Sequence, residues 1–175
     1  LDLIDDMVGR ALSRRRFLAG TAAVAAATLL PRPLFAATAP YTFKQGDFEI
    51  TVVSDGQLQL PATLLGVDAP PEARAAFLKE VGIGETVTPA VNLTLVRKGD
   101  DLILFDVGAG PNMAPTAGKV AESLAAAGVE PGSITKVVYS HGHPDHIWGT
   151  LKPDGTLQFP NATFHAAIEE WNFWM

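Results

Sequence analysis

One stretch of the chain decides both the fold and the candidate site: ITKVVYSHGHPDH, at residues 134–146. Its first six residues, Ile134–Tyr139, are mainly apolar and β-branched and predict a buried β-strand. The strand ends at Ser140, where a loop rich in histidine begins. This segment, residues 140–146, is called the histidine loop below. It holds four candidate metal ligands: His141, His143, Asp145 and His146.

The residue types in the histidine loop favour a divalent metal. Imidazoles and carboxylates bind such ions when they converge to within about 2.0–2.2 Å of one point. Loop residues can converge in this way because they escape the alternation that separates neighbours on a strand. The chain contains no cysteine, so the ligands must be nitrogen and oxygen atoms, which suit zinc, iron or manganese.

Two other interpretations of the histidine loop are possible. The histidines could face solvent in an ordinary polar loop, or they could relay protons without a metal. Three of the four histidines in the chain surround one aspartate directly after a strand. That concentration favours metal binding over both alternatives.

Further strands are predicted upstream of the histidine loop. Phe48–Ser54 is β-branched and reads as a strand that ends in a tight turn at Asp55 and Gly56. A short helix is predicted from Glu72 to Val81. Residues 91–96 and 101–106 flank a polar turn and predict a hairpin of two largely buried strands.

The rest of the chain alternates helix and strand. A helix is predicted from about Thr116 to Ala127, with Gly128 ending it. Residues 162–166 predict a further short strand, and residues 169–174 the start of a helix. Mixed helices and strands in this order indicate an α/β fold in layers.

The remaining histidine and the aromatic residues have less specific patterns. His165 lies on the predicted short strand, and we interpret it as a buried or edge-strand histidine rather than a ligand. Four aromatic residues could line a substrate entrance, but packing in the core is their more common role. They are Trp148, Trp171, Phe173 and Trp174.

The first forty residues predict an export signal. Three adjacent arginines, Arg14 to Arg16, precede an uncharged alanine-rich run that Pro31 ends. This order is typical of a secretory signal, and arginines followed by Phe-Leu resemble a twin-arginine signal. A buried or amphipathic helix is the alternative, but the run has no polar face. We predict a signal peptide at residues 1–39, cleaved near 36–39, and a folded domain at residues 40–175.

This signal implies a periplasmic or secreted protein, with the twin-arginine export machinery as a transient partner and no stable membrane insertion afterwards. The formal net charge is −6 at pH 7. Residues 1–40 carry +2 and the remainder −8. Such an acidic body argues against nucleic acid as a partner, because phosphate contacts require a basic surface.

The histidine loop resembles the His-x-His-x-Asp-His signature of the metallo-β-lactamase superfamily. The resemblance extends to Leu104–Gly110, which is similar to the Asp-x-Gly segment of that family. Residues 159–163 and 170–174 resemble the branch containing methyl parathion hydrolase and acyl-homoserine lactonases. The resemblance as a whole covers roughly Phe48 to Met175, so residues 40–175 are interpreted as a partial metallo-β-lactamase-like domain.

The resemblance implies a four-layer αβ/βα sandwich of two halves and a site for two divalent metal ions, Zn²⁺ first, with iron or manganese as alternatives. His141 and His143 would bind the first metal; Asp145 and His146 would bind the second, with Asp145 also catalytic. Asp106 would buttress the ligands from behind; its alternative role is to cap a turn.

The resemblance also implies a function. The intact protein is expected to be a hydrolase that uses a metal-activated water on an ester-like bond in a small molecule, such as a lactone or phosphotriester. The family places its other ligands beyond Met175, so we expect this chain to be an N-terminal fragment that lacks the C-terminal half and has little activity. An iron-dependent oxidoreductase or dioxygenase of the same superfamily, and a non-catalytic periplasmic metal-binding protein, are the alternatives.

Overall fold

The computed structural model of the protein describes residues 39–175. The predicted signal peptide lies almost entirely outside this range, so the structure does not address it. Within the described range, no helix combines the length and apolar character needed to cross a membrane.

A six-stranded mixed sheet forms the centre of the fold, in the order β1-β2-β5-β6-β7-β8. The first four strands in this order pair antiparallel, whereas β6, β7 and β8 pair parallel. A separate antiparallel pair is formed by β3 and β4. The strands are β1 (Tyr41–Gln45), β2 (Phe48–Gln57), β3 (Leu60–Pro61), β4 (Thr86–Val87), β5 (Ala90–Lys98), β6 (Asp101–Phe105), β7 (Lys136–Val138) and β8 (Thr163–His165).

Residues 39–175 contain four α-helices, of which three lie between strands and the last follows β8. Helix α1 precedes β4, and α2 lies in the connection between the parallel strands β6 and β7. Parallel strands need a long crossover connection of this kind, because a tight hairpin can join only antiparallel strands. The helices are α1 (Pro71–Glu80), α2 (Val120–Ala126), α3 (Pro144–Ile147) and α4 (Ile168–Trp174). The predicted α/β fold is therefore confirmed.

The core lies between one face of the sheet and α2. Alternate residues of the hairpin strands are buried, among them Leu93 and Leu95 on β5 and Leu104 on β6. Val120 and Leu124 of α2 pack against the same cluster. The hairpin strands were predicted to be largely buried, but the residues between the buried ones are partly or fully exposed. The sheet is thus buried on one face and more accessible on the other.

Two predicted boundaries are also wrong, and both involve Asp55. Strand β2 does not turn at Asp55 but continues to Gln57, with a register shift between Ser54 and Gly56. Helix α2 begins at Val120, four residues later than predicted. The buried carboxylate of Asp55 accepts hydrogen bonds from the backbone N–H groups that precede α2 and begin it. The residues just before Val120 therefore adopt a loop conformation around Asp55.

Candidate metal centre

The parallel pairing of β6 and β7 brings two candidate site segments together. Phe105 pairs with Val138, so both strands end at the same edge of the sheet. Asp106 follows β6, and its N–H donates to the carbonyl of Val138 at 2.9 Å. The histidine loop follows β7. Asp106 therefore lies beside Ser140 and His146, which are 34 and 40 positions further along the sequence.

The loop brings its three imidazoles together. The ring centroid of His141 lies 3.9 Å from that of His146 and 4.6 Å from that of His143. Helix α3 begins directly after His143, with Pro144 in its first position. This short helical turn brings His146 back toward the start of the loop. The backbone N–H of His146 donates to the carbonyl of His143 at 3.0 Å.

Asp106 ties together the two ends of the loop. Its Oδ1 accepts a hydrogen bond from the Ser140 N–H at 2.7 Å, and its Oδ2 accepts one from the Ser140 hydroxyl at the same distance. Oδ2 also lies 2.9 Å from His146 Nδ1. With the Nδ1 proton directed at this carboxylate, Nε2 of His146 is left with the lone pair that a metal requires.

Asp106 holds this position with an unusual backbone. It is the one non-glycine residue with positive φ, at 61°, in the part of the chain that the structure describes. Aspartate tolerates the left-handed region better than most residues, but the conformation still costs free energy. The surrounding contacts maintain it: Val107, the next residue, donates its N–H to the carbonyl of His146 at 2.9 Å.

Asp145 and His146 have a spacing that fits a shared metal ion. Asp145 Oδ2 lies 3.4 Å from His146 Nε2. Two ligands bound at tetrahedral angles to zinc, each at about 2.05 Å, are roughly 3.4 Å apart. Across residues 39–175, no three His, Asp or Glu side chains already have their donor atoms placed around one point. One ligand pair is therefore spaced for a metal, and no third side chain of the described residues joins it.

The fourth histidine lies on β8, the last strand in the described sheet order. His165 is exposed on β8, at the edge of the described sheet, and its Nε2 lies 2.9 Å from the Thr163 hydroxyl. Its interpretation as an edge-strand histidine is confirmed.

The aromatic residues do not pack in the core as predicted. All four side chains are exposed, from 49% for Trp148 to 78% for Phe173. Trp171 and Trp174 instead line a cavity of about 250 Å³ beside His141. Tyr139 also lines this cavity, and its hydroxyl forms a hydrogen bond with the Thr150 hydroxyl at 2.7 Å. Burial raises the pKa of Tyr139, and the nearby charge of Asp106 adds to this shift.

Asp55 was not recognised from the sequence as important to the site. Its Oδ2 accepts hydrogen bonds from the N–H groups of Ala109 at 2.8 Å and Gly118 at 3.1 Å, and its Oδ1 accepts from Val120 at 2.9 Å. The pKa of this carboxyl is raised because it is buried, although the three N–H donors act in the opposite direction. A Cβ at Gly108 would overlap the carboxylate.

A second unrecognised residue is Glu170 on α4. Its carboxylate accepts a hydrogen bond from the Gly142 N–H in the middle of the histidine loop. For Asp55, the available signal was the Gly-Ala-Gly run at 108–110, since buried N–H groups there need acceptors. For Glu170, it was the four-residue spacing to Trp174 on a predicted helix.

A mixed sheet with imidazoles and carboxylates at the ends of its parallel strands defines an α/β protein with a candidate metal centre. Residues 87–173 match the Metallo-beta-lactamase superfamily. That part of the chain belongs to this superfamily, in agreement with the resemblance of the histidine loop. No curated protein sequence is significantly similar to the chain.

Solved structures of related hydrolases share the fold. AidC, a dizinc quorum-quenching lactonase in complex with a product, is 29% identical with a TM-score of 0.70; the match covers 77% of this chain and 47% of AidC. The hydrolase AbOPH of the beta lactamase superfamily is 32% identical with a TM-score of 0.69, covering 80% and 48%. A probable metal-dependent hydrolase from Staphylococcus aureus, 20% identical, shares the fold with a TM-score of 0.62, covering 74% and 50%. The chain thus spans about half the length of these structures.

Proposed function

We propose that the full-length protein containing this chain is a metal-dependent hydrolase of ester-like bonds, with lactones and phosphotriesters as the substrate classes. The observation that carries the proposal is the arrangement around His146. Its Nδ1 faces Asp106, and its Nε2 lies 3.4 Å from Asp145 Oδ2. The similarity to a dizinc lactonase over 77% of the chain supports both the metals and the ester-like substrate.

In this proposal the residues of the chain hold and orient the reacting groups. His141 and His143 would bind one ion, and Asp145 and His146 a second. When bound, two divalent ions, most simply Zn²⁺, lower the pKa of a water molecule and polarise the bond to be cleaved. Asp145, whose Oδ2 lies 3.4 Å from His146 Nε2, would hold the ion beside that imidazole and would orient a water molecule there. Asp106 keeps the imidazole of His146 oriented.

Removal of metal tests the proposal. We expect the purified full-length protein to contain about two divalent ions per chain, measured by inductively coupled plasma mass spectrometry. Dialysis against a chelator should abolish hydrolysis of a lactone or phosphotriester, and added Zn²⁺ should restore it. Full activity in the metal-free protein would contradict the proposal. Redox-active iron without hydrolysis of any ester-like substrate would instead support the oxidoreductase alternative.

We further propose that the protein is exported through the twin-arginine pathway. The support is the order of Arg14 to Arg16, the apolar alanine-rich run and the small residues near 36–39. The periplasmic or secreted protein should begin within residues 37–40, which mass spectrometry of its N-terminal peptide can measure. An intact residue 1–36 segment on the exported protein would contradict this proposal.

A further inference from the structure

Helix α4 is attached to the middle of the histidine loop through one carboxylate oxygen. Oε2 of Glu170 accepts a hydrogen bond from the Gly142 N–H at 2.8 Å and another from the indole Nε1–H of Trp174 at 3.1 Å. Gly142 lies between His141 and His143, the two histidines expected to share a metal. The contact therefore reaches the backbone between two candidate ligands.

Trp174 completes this attachment by packing on Gly142. A Cβ built at Gly142 would overlap the indole ring, so a larger side chain there would have to displace Trp174. The backbone itself does not require glycine, since Gly142 is not among the residues with positive φ. The indole also stands nearly perpendicular to the His143 ring, with centroids 6.2 Å apart. The glycine is thus explained by close packing of α4.

The attachment complements the one made by Asp106. Asp106 holds the ends of the loop, at Ser140 and His146. Glu170 holds its centre, where His143 is exposed and has little packing to restrain it. The pKa of Glu170 is lowered by the Gly142 N–H first, then by the Trp174 indole, with smaller contributions from the neighbouring imidazoles.

We propose that Glu170 is a positioning residue that fixes the Gly142 peptide, and so directs His141 and His143 toward a common metal ion. This inference rests on the proposed metal-dependent function. Glu170 does not bind the metal in this scheme. Its role depends on accepting two hydrogen bonds at one oxygen, which an amide oxygen can also do because it has two lone pairs.

The test therefore separates the hydrogen bonds that Glu170 accepts from the charge that it carries. In the full-length protein, Glu170→Ala removes the acceptor, whereas Glu170→Gln keeps an oxygen but removes the charge. Glu169→Ala, at an exposed position on the same helix, is the matched control. We would measure hydrogen exchange of the Gly142 amide in metal-free protein and Zn²⁺ affinity by competition with a chelator. The absorption spectrum of the Co²⁺-loaded protein reports ligand geometry.

We expect Glu170→Ala to speed exchange of the Gly142 amide by about tenfold or more and to weaken Zn²⁺ binding by about 10- to 100-fold, the range for partners that orient metal ligands. Its Co²⁺ spectrum should change. Glu170→Gln should stay within about threefold of the wild type, and Glu169→Ala should match it. Should Glu170→Ala fail to fold, Gly142→Ala, which displaces Trp174, should show the same loss of Zn²⁺ affinity.

Several outcomes would overturn the inference. If Glu170→Gln weakens Zn²⁺ binding as much as Glu170→Ala, the charge and not the hydrogen bonding matters. If Glu170→Ala leaves both exchange and affinity unchanged, Glu170 positions nothing. In either case, Zn²⁺ binding by the wild-type protein would still support the proposed metal-dependent function. A wild-type protein that binds no metal removes the proposed function and this inference with it.

Discussion

Replacing His143 by alanine should lower kcat/KM of the full-length protein for its ester-like substrate by about a thousandfold or more. The proposed metal site would supply several kcal/mol of transition-state stabilisation, and this change would remove one of its ligands. The His143 side chain is exposed, so its loss should cost little folding free energy. Metal content and steady-state hydrolysis of the best lactone or phosphotriester substrate are the measurements. The thermal unfolding midpoint should stay close to that of the wild type.

His165→Ala is the matched control for this experiment. His165 is also exposed and lies on β8, where its contact is with a threonine of the same strand. We expect this variant to keep wild-type metal content and activity. Unchanged hydrolysis in His143→Ala would refute the catalytic role of the histidine loop, and an equal loss in both variants would point to a general effect of removing imidazole.

The second large effect is expected on stability, from Asp55→Asn. The amide has nearly the same shape as the carboxylate but places an NH₂ group where one oxygen accepts a backbone N–H. In one orientation Val120 loses its acceptor, and in the other both Ala109 and Gly118 lose theirs. Leaving such a buried donor unpaired costs about 1–3 kcal/mol. We therefore expect the free energy of unfolding in urea to fall by about 3 kcal/mol.

Asp47→Asn serves as the comparison, because Asp47 is exposed in the turn between β1 and β2. That variant should unfold at the wild-type urea concentration, within about 0.5 kcal/mol. A stability of Asp55→Asn equal to the wild type would mean that the loop before α2 does not depend on the carboxylate. The register shift in β2 would then need another cause.

The elements that could be predicted are those whose signal is local. The apolar run at Ile134–Tyr139 predicted a strand, and β7 lies within it at Lys136–Val138. The hairpin of β5 and β6 was predicted because a polar turn separates two apolar runs. Strand β1 was missed because all five of its residues are exposed, so no burial pattern marks it.

The supporting contacts of the site could not be predicted for the opposite reason. Asp55 reaches Ala109 across 54 residues, and Glu170 reaches Gly142 across 28. Hydropathy and spacing describe neighbours along the chain, not partners brought together by sheet pairing. An aspartate followed by glycine has the pattern of an exposed turn, and only the tertiary structure shows that the Asp55 carboxylate is buried.

The parallel register of β6 and β7 also couples mutations in the interior to the chemistry at the edge. Val137 is fully buried, and β7 pairs with β6 on one side and β8 on the other. A slip of this strand by one position would turn Val137 outward and move Ser140 by about 3.3 Å relative to Asp106. A substitution of Val137 that shifts β7 would therefore weaken cation binding, although Val137 is not one of the candidate metal ligands.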